Sequence, residues 1–391
     1  MARGKIMIDK LKKLLILIIP ITLALFFVFS FTGTHEDGKQ VKIAVMGNKD
    51  SFYPDYELGI EQAIDDLNKE YAETGFSFAY EIYNDNNSFE TGASIIDRLN
   101  KDDSVTAVIA PNNKDLHRLA AYVFDSSKKL FLSPYALYDS IYTENYYDTV
   151  FSLTYSKKKI GKIMRGAAAK TPATRWAACI DDSELSMVEL HGFIGKSPDD
   201  NISLVDCVSF DSITEDMQVH FGRWKTLGVD GIMLLSEEER FDEFKLIKKQ
   251  FPDAQFILNQ AFDNSERIEN DSELMSLIAN AIQTVNYTNY PRNEEDSQKF
   301  KAARKTFEEK HGRTFDLWYL HAYNMIRMIG DTAVRAGKAD TKRISEMLHA
   351  DGYDGVCEHY EFNENGIRID HMADYAVYSD RGTAYMKSLS E

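Results

Sequence analysis

Proline and cysteine are scarce in this chain, with 8 prolines and 3 cysteines in 391 residues. So few prolines, with 21 glycines in no repeating period, exclude collagen-like repetition and Pro-rich disorder. Cys179, Cys207 and Cys357 cannot all pair internally. Cys179 and Cys207 lie in the apolar, strand-like runs WAACI and LVDCVSF, where cysteine serves as a small hydrophobe, so free thiols are expected. With no CxxC or HExxH pattern and nine scattered histidines, the sequence calls for no metal and no other cofactor.

Enzyme motifs are missing as well. Neither GxGxxG nor GxSxG occurs. Gly195-Lys196-Ser197 looks like the end of a phosphate-binding loop, but Leu190 stands where such a loop needs glycine. Ser126 and Ser156 each open an SxxK match without its partner motifs. The expectation is a protein that binds without catalysing.

Cations are outnumbered, 45 Lys and Arg against 62 Asp and Glu, for a net charge of −17. Five of those cations sit in the first 33 residues with one acid, which leaves 40 against 61 in the remainder. Such a surface repels phosphate backbones, and no basic stripe with interleaved aromatics appears, so nucleic acid is excluded as a partner.

Long hydrophobic runs are reduced to one, residues 14–31, interrupted only by Pro20, Thr22 and Ser30 and long enough to cross a bilayer as a helix. The basic segment 1–13 places the N-terminus in the cytoplasm and the bulk of the chain outside. Only a weak cut near Thr32 and Gly33 follows the span, so an uncleaved signal anchor is expected in preference to a cleaved signal. The resulting expectation is a single-pass protein of the cell membrane with a large extracytoplasmic domain.

From Val41 onward, short apolar runs alternate with amphipathic stretches. VKIAVMG (41–47) precedes a helix whose face carries Ile60, Ile64, Leu67 and Tyr71. FAYEIYND, VTAVIA (105–110) and LFLSP (130–134) follow, with helices near 89–100 and 115–126. A second series begins after TVFSL (149–153), with RWAACID, ISLVDCVSF, GIMLLSE and AQFILN as strands. Its helices fall near 157–169, 184–195, 213–228 and 239–250. Continuous apolar strands between helices imply two parallel sheets covered on both faces. Residues 296–350 read as almost wholly helical and must pack on a domain already begun, and a C-terminal hairpin closes the chain, with Asn365-Gly366 and Arg381-Gly382 as turns.

This order of segments resembles the type I periplasmic binding-protein fold, in particular the branched-chain amino-acid-binding-protein-like family of solute receptors. The resemblance spans about residues 41–385. It is carried by KIAVMG with GIEQAIDDLN, YEIYNDNNSFETGASIIDRLN, VTAVIAP, LFLSP and FSLTYS, and late in the chain by FEEKHGRTFDLWYLHAYNMIRMI and GYDGVCEHYEFNENG. It implies two α/β lobes joined by three crossovers, with lobe one at 40–153 plus 282–356 and lobe two at 154–281 plus 357–391. A small polar ligand would be gripped between them by hinge closure and passed to an ABC permease. A ligand-sensing ectodomain acting through a membrane partner is the alternative, and an exported α/β hydrolase a third reading.

Open parallel sheets bind ligands outside the carboxyl ends of their strands. The candidate site residues are therefore Ser51, Tyr53, Asn112, Asn113, Lys114, Ser133, Tyr135 and Ala136 in lobe one, and Asp182, Ser186, Glu237 and Gln260 in lobe two. The resemblance implies hydroxyl groups for an α-carboxylate and an acid for an α-ammonium. Asn113, Lys114 and Gln260 stand at those places, which points away from an unmodified amino acid.

Overall fold

The computed structural model describes residues 39–52, 55–134, 146–195, 201–262, 264–284, 294–369, 374–380 and 384–388. The expected span at 14–31 lies outside them, and among the described residues no helix is long and apolar enough to cross a membrane.

Val41, Ile43, Ala44, Val45 and Met46 are all buried. A run with so little polar surface fits only a sheet covered on both sides, and β1 (Gln40–Met46) occupies that place. There follow α1 (Tyr56–Glu70), β2 (Ser77–Tyr83), α2 (Phe89–Asn100), β3 (Ala107–Ile109), α3 (Lys114–Ser126), β4 (Leu130–Ser133) and β5 (Val150–Ser152). These strands form one sheet in the order β2-β1-β3-β4-β5, every pair parallel.

The second series comprises α4 (Lys157–Ala169), β6 (Arg175–Ile180), α5 (Glu184–Ile194), β7 (Ser203–Ser209), α6 (Phe210–Glu215), α7 (Met217–Leu227), β8 (Gly231–Leu235), α8 (Phe241–Gln250) and β9 (Gln255–Leu258). It ends with α9 (Ser265–Asn270), α10 (Ser272–Leu277) and β10 (Ile282–Thr284). Along β6, Trp176 and Ala178 belong to one buried cluster while Ala177 and Cys179 belong to another, so this sheet too is covered on both faces. All three cysteines are free thiols. In the β6–β7 register Cys179 faces Val208, which turns Cys207 to the opposite face of the sheet.

The chain then returns to the first sheet as α11 (Glu294–His311), α12 (Leu317–Ala336) and α13 (Thr341–Asp351), followed by the short pair β11 (Tyr353–Asp354) and β12 (His359–Tyr360). Helix α12 lies on α1 so closely that a Cβ at Gly59 would stand 2.2 Å from the Tyr319 carbonyl oxygen. Trp318, Ala322, Met325 and Ile326 thereby enter the core of the first lobe. The chain ends in the hairpin β13 (Asp374–Tyr378) and β14 (Ala384–Ser388), which gives the second sheet the order β14-β13-β10-β9-β8-β6-β7.

Three crossovers connect the sheets, and two of them fall later than the sequence suggests. Residues 282–284 pair with β9 and β13, so they belong to the second sheet and not to lobe one. Residues 357–369 stay with the first lobe, since Tyr360 and Phe362 are in its core and the Ser152 amide donates to the Gly366 carbonyl. The chain therefore passes between the lobes first at 153–156, again between β10 and α11, and a third time between Ile369 and β13. The single helix expected at 213–228 is two. Ser209 caps α6, which starts three residues early at Phe210 and buries Phe210 and Ile213, and Asp216 breaks the helical path at φ −122°, ψ 40°.

Candidate functional site

Side-chain caps fix where each helix leaves its strand. Ser88, Asn113, Ser156 and Ser183 each accept a hydrogen bond from a backbone amide in the first turn of α2, α3, α4 and α5. Two of these caps shape opposite walls of the cleft, Asn113 after β3 and Ser183 after β6.

In the first lobe the loop after β1 makes a short turn at Lys49–Ser51, where Lys49 pairs with Glu57 at 2.7 Å. Tyr53 lies outside the described residues. After β3, Asn112 is exposed, and Asn113 accepts from the amides of Asp115 at 3.1 Å and Leu116 at 3.0 Å. Ser133, at the end of β4, is fully buried, and its carbonyl accepts from the Leu153 amide. The next carbonyl, that of Pro134, lies 2.9 Å from His321 Nε2. A carbonyl only accepts, so this nitrogen carries the imidazole proton. Burial lowers the pKa of His321, more than the nearby Glu358 carboxylate raises it, and keeps the ring neutral. Tyr135 and Ala136 lie outside the described residues.

In the second lobe Asp181 follows β6 and organises the wall. Its carboxylate accepts from the Ser183 amide at 3.1 Å and the Glu237 amide at 2.7 Å. Burial pushes its pKa up, but hydrogen bonds from Ser183, Ser186 and the Glu237 amide outweigh that cost and hold it below the usual carboxylate range. Ser186 is buried in this network, whereas Asp182 and Glu237 are exposed. Gln260, half-buried, opens the turn Gln260–Phe262 after β9.

The two walls touch at one ion pair. Lys114 Nζ on the first residue of α3 lies 2.5 Å from Glu184 Oε2 on the first residue of α5. A lysine at a helix start opposes the helix dipole and a glutamate there complements it, so the carboxylate offsets the unfavourable placement of Lys114.

Behind the second wall lies a buried polar network that the sequence reading missed. Glu189 Oε1 is 2.6 Å from Lys157 Nζ, and Glu189 Oε2 accepts from Asn259 Nδ2 at 3.1 Å. The same Nδ2 donates to the Ser236 carbonyl at 2.8 Å, tying the ends of β8 and β9 together. One signal was available. Ser186, Glu189, Leu190 and Phe193 share the buried face of α5, and a lone charge on such a face needs a partner.

A second cluster sits at the crossovers. Arg368 donates to the Leu153 carbonyl at 3.1 Å and the His359 carbonyl at 3.0 Å, and lies between the rings of Tyr155 and Tyr360. Its buried charge faces Glu358 at 3.5 Å. Among the described residues no group of His, Cys, Asp and Glu side chains could hold a metal ion.

The comparisons with known proteins agree with this geometry. The family model for periplasmic binding proteins matches residues 41–381. A search of the curated proteins found no match. Among solved structures, an ABC transporter substrate-binding protein from Desulfitobacterium hafniense in complex with Leu is similar at TM-score 0.74 and 16% identity, over 89% of this chain and 100% of that one. The branched-chain amino acid transporter substrate binding protein LivJ from Streptococcus pneumoniae, in complex with isoleucine, is similar at TM-score 0.65 and 16% identity, over 90% and 99%. A solute binding protein from R. palustris in complex with benzoate is similar at TM-score 0.66 and 11% identity, over 89% and 96%. With two α/β lobes, the first sheet all parallel and the second parallel but for the antiparallel β13 and β14, three crossovers and a family match over nearly all of the described chain, this protein belongs to the periplasmic binding protein family, a family of binding proteins and not of enzymes.

Proposed function

We propose that this protein captures a small polar ligand between its lobes outside the cell and delivers it to an ABC permease, tethered to the membrane by residues 14–31. The observation that carries the reading is the meeting of α3 and α5, from opposite lobes, at the carboxyl ends of both sheets, where open α/β sheets take their ligands. The similar solved structures are substrate-binding proteins, of which those named hold leucine, isoleucine and benzoate.

Several charges at and behind these strand ends already have protein partners. Lys114 is met by Glu184, Asp181 by amides and hydroxyls, and Glu189 by Lys157. This supports a ligand oriented mainly by neutral groups, with Asn112, Asn113 and Gln260 among them and Tyr135 as an aromatic partner. Native mass spectrometry of the purified full chain tests the reading. A co-purified small molecule of fixed mass, lost on denaturation, is expected. Absence of any bound species, together with no thermal shift across amino acids, aromatic acids, amides and sugars, would refute it.

A further inference from the structure

Among the ion pairs formed between described residues, Lys114–Glu184 alone joins the two lobes. All other such pairs lie within one lobe, including the buried Lys157–Glu189 and Arg368–Glu358. A contact between the N-terminal turns of α3 and α5 adds a non-covalent tie to lobes otherwise joined by the crossovers, and so constrains the angle between them. Both side chains remain partly open to solvent, 37% for Lys114 and 52% for Glu184, so dissolved ions reach them.

We propose that Lys114 and Glu184 are a positioning pair, which sets the spacing of the closed lobes around the ligand and favours closure through a salt-sensitive contact made by the protein itself. The proposal rests on the reading of the cleft as the ligand site. It departs from a direct role for Lys114 in holding ligand, since the lysine Nζ is directed at the opposite lobe. An exposed pair of this kind shifts the closed-to-open ratio by about two- to fivefold.

The test needs no ligand. A spin label on Cys207, which is exposed on the second lobe, and one on Glu73→Cys in the first report the distance between lobes in the full chain in detergent, while Cys179 and Cys357 are buried. The expected result is a short distance at low salt that gives way to a longer one at about 1 M salt, where screening acts within about 3 Å. Lys114→Ala and Glu184→Ala should populate the longer distance at low salt, and the charge reversal Lys114→Glu with Glu184→Lys should restore the short one. Distances unaffected by salt and by either single substitution would overturn the proposal. So would single-variant opening that the reversal fails to restore, because the effect would then belong to the helix ends and not to the pair. Since no ligand is added, loss of this effect is separable from failure to find a bound solute.

Discussion

Glu189, 1% exposed on α5, is held by Lys157, the first residue of α4 after the first crossover, at 2.6 Å. The two helices meet at Gly161 and Gly192, where a Cβ on Gly161 would stand 1.9 Å from the Glu189 carbonyl oxygen. The absence of side chains there lets the helices approach, and the approach brings the two charges together in a dry interior. Burying either charge alone would be costly.

The stability of the second lobe should therefore respond asymmetrically. Glu189→Ala leaves the Lys157 ammonium buried without a counterion and is expected to cost about 3–5 kcal/mol. Replacing both, as Lys157→Met with Glu189→Leu, removes the desolvation cost along with the attraction and should cost far less. Denaturant unfolding of the two variants checks this. Equal losses would show that the network's value lies in its hydrogen bonds to Asn259.

Acid sensitivity should begin well above the carboxylate range. His117 is fully buried against Phe131, and desolvation pushes its pKa down to about 3, while burial lowers that of His321 as well. For a histidine whose folded pKa is depressed, the unfolded chain binds the proton first. Stability is then highest above the unfolded value of about 6.5 and falls as the pH drops towards the folded value, by up to about 1.4 kcal/mol per pH unit for each ring. Asp181 adds loss in the same direction below about pH 4, because its lowered carboxyl pKa favours the folded state only while it is ionised. Melting temperatures from pH 7.5 to 5 should fall for the wild type and fall less for His117→Phe. Identical slopes would assign the effect elsewhere.

Much of the fold was legible because its signals are local. Buried runs such as VKIAVM and GIMLL mark parallel strands, and the amphipathic stretches expected near 89–100, 115–126, 157–169 and 184–195 are helices that the structure starts at 89, 114, 157 and 184. What escaped depends on distant partners. The three-residue strand β10 has no pattern long enough to state which sheet it joins, and its pairing with β13 spans over ninety positions. Lys157 is the first of three lysines in a row and gives no hint that it alone is buried. The site divides in the same way. Strand-end loops could be found from the strands, but Asn113 is spent largely on capping α3, and the union of Lys114 with Glu184 joins positions seventy residues apart.

Topology has its own test. If residues 14–31 anchor the chain, the protein should sediment with membranes from lysed cells and be digested by protease added to intact cells after removal of any outer wall. Recovery of a soluble mature chain beginning near Gly33 would show instead that the segment is a cleaved signal.

Gln260 offers the sharpest test of ligand chemistry. It begins the turn after β9, half-buried, and its amide presents both a donor and an acceptor. An acid at this place would favour an ammonium group, and a hydrogen bond to a charged group contributes about 1.5–3 kcal/mol. Gln260→Glu is therefore expected to shift relative affinity by tenfold or more towards ligands bearing an ammonium group, measured by calorimetry on the co-purified ligand and on analogues with and without that group. Gln260→Ala should weaken the ligand without creating this preference, which separates loss of a contact from gain of a charge. The turn itself should survive both changes, since the Phe262 amide donates to the Asn259 carbonyl at 3.1 Å and needs nothing from the side chain at 260. Unchanged affinity in both variants, with melting temperatures intact, would remove Gln260 from the site and leave the second wall to Asp181, Ser186 and the loop around Glu237.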